Sequence, residues 1–79
     1  MNKAWVQFHM KEALDELSKL LGLVERSALS EEEFEVGITH AYHHLNTAWN
    51  SRAIDDEQAR QHSDYDFVQW RQFPADLNL

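Results

Sequence analysis

The chain has no cysteine, so no disulfide can supplement a core that is small at a length of 79 residues. A thiol nucleophile is excluded with it. The single proline and two glycines leave few places where a helix must stop. Both glycines are isolated, so there is no phosphate-cradling loop, and no serine stands in a Gly-x-Ser-x-Gly turn. Apolar runs are only a few residues long, far short of the roughly 20 needed to cross a bilayer. The start, Met1-Asn2-Lys3-Ala4-Trp5-Val6-Gln7, lacks the unbroken apolar core of a signal peptide. The expectation is a protein that is neither exported nor membrane-embedded. With no cysteine to oxidise, a cytoplasmic location fits.

Basic charge is also scarce. Seven Lys and Arg stand against 14 Asp and Glu, a formal charge of -7, and the cations are scattered singly along the chain. A nucleic-acid binder needs a basic stripe that displaces counterions, so no nucleic-acid binding is expected. The usual consequence of such acidity is solubility. A sharper reading is an acidic antagonist, or nucleic-acid mimic, that occupies a basic protein.

What is present is helical rhythm. From about residue 2 to 26, Val6, Met10, Ala13, Leu17, Leu20 and Val24 recur at steps of four and three, with Leu14 and Leu21 widening the stripe. Lys11, Asp15, Glu16 and Lys19 occupy the other side. Ser30-Glu31-Glu32-Glu33 reads as a capping box at a new helix start, and three glutamates there suit the positive end of the helix dipole. From about 31 to 52, Phe34, Ile38, Ala41, Leu45 and Ala48 repeat the rhythm, flanked by Tyr42 and Trp49. Two long amphipathic helices with a short polar connection fold back on each other to bury their stripes. Beyond Arg52, acidic starts at Asp55 and Ser63 predict one or two short helices within 56–72, ended by Pro74. A loose tail is expected over 75–79. The fold class is therefore all-α: one helical domain over 1–79, an antiparallel helical hairpin plus one or two short C-terminal helices, completed as a helical bundle by dimerisation.

Pairing with a second copy is expected because the aromatic residues outnumber the places a hairpin offers. Trp5 and Phe8 lie off the main stripe, and Trp70 and Phe73 crowd the C-terminal segment. Each ring calls for roughly 150 to 250 Å² of cover. These four are the candidate interface residues, at a homodimer contact or against another protein partner.

The concentrated chemical feature is Thr39-His40-Ala41-Tyr42-His43-His44. His40 and His44, four apart on a helix, can share one divalent transition-metal ion, with His43 on the adjoining row. This is not the zincin motif, because Ala41 stands where that motif has glutamate. The competing reading is a row of Val36, His40, His43, Thr47, Asn50 and Ile54 that forms a half-buried, hydrogen-bonding contact with the C-terminal segment or a second subunit. Neither gives a catalytic constellation, and no resident cofactor is expected beyond a possible metal. The functional expectation is a small acidic protein-interaction or assembly module, homodimeric and without catalysis of its own. The alternatives are a metal-binding bundle using His40, His43 and His44, or the acidic antagonist.

Overall fold

A computed structural model describes residues 1–78; Leu79 lies outside the described residues. Among them there is no strand. The order is α1 (Lys3–Glu25), α2 (Glu31–Asn50), α3 (Asp56–Gln61) and α4 (Asp64–Trp70). No helix is long and apolar enough to cross a membrane.

Local chemistry accounts for each boundary. Asn2 caps α1, its side chain accepting from the Trp5 amide. At α2, Ser30 accepts from the Glu33 amide while the Glu33 carboxylate accepts from the Ser30 amide. The same reciprocal arrangement starts α3 with Asp55 and Gln58, and α4 with Ser63 and Asp66. At the end of α1 the chain closes with the Ala28 amide on the Leu23 carbonyl (2.9 Å) and the Ser27 amide on the Val24 carbonyl (3.0 Å). That pair of bonds is a Schellman turn. Ser27 has φ 52° and occupies the left-handed position that glycine fills at least cost.

α1 and α2 run antiparallel. Contacts fall steadily in register: the Asn2 amide donates to the Arg52 carbonyl (2.7 Å), Trp5 reaches Ser51, His9 reaches His44, Glu16 reaches His40, and Leu20 fills the space above Gly37. The apolar stripes were expected to meet face to face, and they meet along one edge only. Among the described residues the buried apolar side chains of the two helices are Ala13, Leu20, Ala41 and Ala48, which lie on one edge of the stripes together with His9 and Gly37. Small residues there let the two backbones approach closely. An ideal Cβ on Gly37 would lie 2.4 Å from Leu20 Cδ2, so the helices close along this narrow seam and leave the bulkier residues beside it.

The C-terminal segment covers a different side of α2. The Asn50 side chain donates to the Trp70 and Gln72 carbonyls (2.8 and 2.7 Å), and Asn46 donates to the Arg71 carbonyl (2.9 Å). The indole N–H of Trp49 donates to Asp76 (3.0 Å), and the Arg52 guanidinium lies 3.8 Å over the Trp49 ring. Pro74 is buried. The loop before α3 is tied back through Asn2, whose side chain donates to the Ile54 carbonyl (3.1 Å) and the Asp56 carboxylate (3.0 Å). Of the second row on α2, Asn50 joins this contact and Thr47 is buried, while Val36 stays 71% exposed.

Candidate functional site

Two features are built by this packing: an apolar face and a row of histidines. The face follows from the shifted seam. On α1, Met10, Leu14, Leu17, Leu21 and Val24 stay exposed, and on α2 so do Phe34, Tyr42 and Leu45. Helical spacing puts each set on one side of its helix. Leu17, Ile38, Ala41, Tyr42 and Leu45 line one shallow groove between the two helices, and Val24 and Phe34 share another near the connection. The two sets therefore form a single surface along the hairpin. Leu14 is 63% and Leu21 60% exposed, which is unusual for leucines so regularly spaced. α3 and α4 are held elsewhere by Asn2, Asn46 and Asn50 and do not cover it.

The four candidate interface residues divide. Trp5 and Trp70 meet edge to face at 6.2 Å between ring centroids, and both lie close to His62. The Trp5 indole N–H also donates to the Ser51 hydroxyl (2.8 Å), which in turn donates to the Thr47 carbonyl. These two tryptophans fasten the C-terminal segment to the hairpin. Phe8 and Phe73 are 53% and 51% exposed.

The histidines come together in a way that residue spacing along one helix does not reveal. His44 contacts two rings at once: its Nδ1 is 2.9 Å from Nδ1 of His9 on α1, and its Nε2 is 3.1 Å from Nε2 of His40 one turn away. Nδ1 of His40 lies 3.4 Å from the Glu16 carboxylate. The row thus crosses from α1 to α2 and back, with His9 buried and packed against the edges of Trp5 and Phe8. His43 is outside it, near Arg71 of the C-terminal segment. Burial, with His44 and His62 nearby, pushes His9 down to about 4 from 6.5. Burial and the neighbouring His40 also lower His44, and burial and the Arg71 charge lower His43.

The metal expectation rested on His40 and His44 sharing one ion, with His43 on the adjoining row; the structure brings His40 and His44 together and leaves His43 beside Arg71. Among the described residues no three His, Asp or Glu side chains gather around a common centre, and each nitrogen of His44 faces a different ring. What this row forms is a chain of hydrogen bonds. The one signal in the sequence for His9 is that it lies three residues after Val6 and four before Ala13, on the seam edge of the stripe.

No family model matches the chain, and neither a curated protein nor a solved structure is significantly similar to it.

Proposed function

We propose that this protein is a small assembly module, without catalysis of its own, that pairs with a second copy of itself through the uncovered apolar face of α1 and α2. The observation that carries this reading is the face itself. Its eight large side chains retain 41 to 63% of their surface, which amounts to roughly 800 Å², about what each partner contributes to a stable protein interface. Monomers seldom leave so large a contiguous apolar patch in water.

A second copy is the occupant that the geometry favours. The face is made of two antiparallel stripes of similar spacing, so a copy turned by a half rotation presents helices to helices at matching intervals. The product is a four-helix bundle with a closed two-fold contact. Pairing also offsets a weak interior: among the described residues, three of the four buried apolar side chains between α1 and α2 are alanines, which is little for a chain of this length. The contact so drawn runs along the leucines, while Trp5 and Trp70 remain engaged within each chain.

A dilution series in size-exclusion chromatography with light scattering tests it. The parent is expected at twice the 9.3 kDa chain mass, and Leu21→Glu at the mass of one chain with helicity retained, because Leu21 is 60% exposed in the single chain. Val36→Glu, on the far side of α2, should leave the mass unchanged. A parent that elutes as one chain, or a Leu21→Glu variant that stays doubled, would refute the reading.

A further inference from the structure

Glu16 fixes the direction of the proton row that joins α1 to α2. A carboxylate only accepts, so the Glu16 charge 3.4 Å from Nδ1 of His40 favours the tautomer that carries its proton there. A neutral imidazole has one donor and one acceptor. Nε2 of His40 is therefore the acceptor in its contact, and His44 donates to it from Nε2. His44 then accepts at Nδ1, and His9 donates from Nδ1. The row ends at Nε2 of His9, a buried nitrogen with no partner among the described residues, in a residue that is 8% exposed.

Counting protons shows what acid must do to this row. Each of the two nitrogen-to-nitrogen contacts holds one proton, and Nδ1 of His40 holds a third. A fourth proton can enter with both contacts kept. It fills Nε2 of His9, and if the tautomers of His9 and His44 reverse, the charge comes to rest on His40 beside Glu16. A fifth proton has no such place. It puts two N–H groups opposite each other across about 3 Å, where a donor needs an acceptor, and the contact parts.

We propose that Glu16, His40, His44 and His9 form an acid-released latch between α1 and α2, which absorbs one added proton with its hydrogen bonds intact and opens on the second. The surrounding charges set where this happens. From α1, Glu12 and Glu16 favour charge on His44, whereas His40 and His43 from α2 oppose it. His62, after α3, opposes charge on His9. Arg71, after α4, opposes it on His43. Burial disfavours any charge at the His9 end, so acid works against the fold first there. The latch belongs to the single chain and does not depend on pairing with a second copy.

Long-range nitrogen–proton correlation spectra of the imidazoles in the intact chain read the tautomer of every ring. Near pH 7.5 the expected protons are on Nδ1 of His40, Nε2 of His44 and Nδ1 of His9; any other pattern overturns the proposal. On acidification the row should take up one proton with the folded signals intact and lose them as the second binds. Three rings each gaining a proton in the folded state would overturn it as well. In His44→Gln, whose amide can hydrogen-bond but not titrate, the fall in melting temperature between pH 7.5 and 5 should be smaller than in the parent, and an undiminished fall counts against the latch. If that variant does not fold, the parent spectra decide.

Discussion

Gly37→Ala separates tertiary packing from helix propensity with opposite signs. Gly37 sits well inside α2, where alanine is intrinsically favoured by roughly 1 kcal/mol. In this fold the added methyl would lie 2.4, 2.8 and 2.9 Å from Leu20 Cδ2, Cδ1 and Cγ. The whole end of the leucine is in the way, and Leu20 is only 4% exposed, so either that side chain or the helices must shift. Overpacking of this kind costs about 1 to 3 kcal/mol, and more when helices must separate. The net expectation is a loss of up to roughly 2 kcal/mol, or a melting temperature lower by up to about 15 °C for a chain of this size. Circular dichroism against temperature and urea measures it. Leu20→Ala alone should cost about 2 to 5 kcal/mol, and the double variant should cost less than the sum, since the shortened side chain leaves room for the methyl. A Gly37→Ala protein that melts higher than the parent would refute the close seam on which the exposed face depends.

Three other outcomes follow from single features. Ser27→Gly removes a side chain from the left-handed position at φ 52° and should stabilise by about 0.5 to 1 kcal/mol; no gain in the urea midpoint would contradict the turn. Because His9 is held near 4 against 6.5 in the unfolded chain, the unfolded state takes its proton first as pH falls, so stability present above pH 6.5 is lost progressively down to about 4. At pH 5 the loss is roughly 2 kcal/mol from His9, with His43 and His44 acting in the same direction; equal melting temperatures at pH 5 and 7.5 would contradict the burial of this ring. Asn50→Ala leaves the Trp70 and Gln72 carbonyls without their donor and should cost about 1 to 2 kcal/mol, with faster amide exchange from Trp70 to Phe73; unchanged exchange would show that Asn50 does not hold the segment.

The helices were legible because their signals are local. Ser30 with Glu33, and the acidic starts at Asp55 and Ser63, specify where α2, α3 and α4 begin through bonds that span three residues. Four-and-three spacing showed two amphipathic helices and hence a hairpin. Periodicity shows that a stripe exists, but not which of its edges meets the partner helix. That choice was made by Gly37, Ala41 and Ala48 opposite Ala13 and Leu20, where the backbones can come closest. The large leucines were thereby left beside the seam. The histidine row was half legible. His40 and His44 are neighbours on any helix, whereas His9 joins them across 35 positions and only through the register of the hairpin. Trp5 and Trp70 read as spare aromatics because nothing local shows that Ser51 and His62 receive them.

Sedimentation equilibrium of the unmodified chain at micromolar concentration addresses the pairing of two hairpins most directly. The expected result is a single species of twice the 9.3 kDa chain mass, dissociating only on strong dilution. A mass of one chain across that range would mean that the leucine face stays open to water, and assembly through it would have to be abandoned.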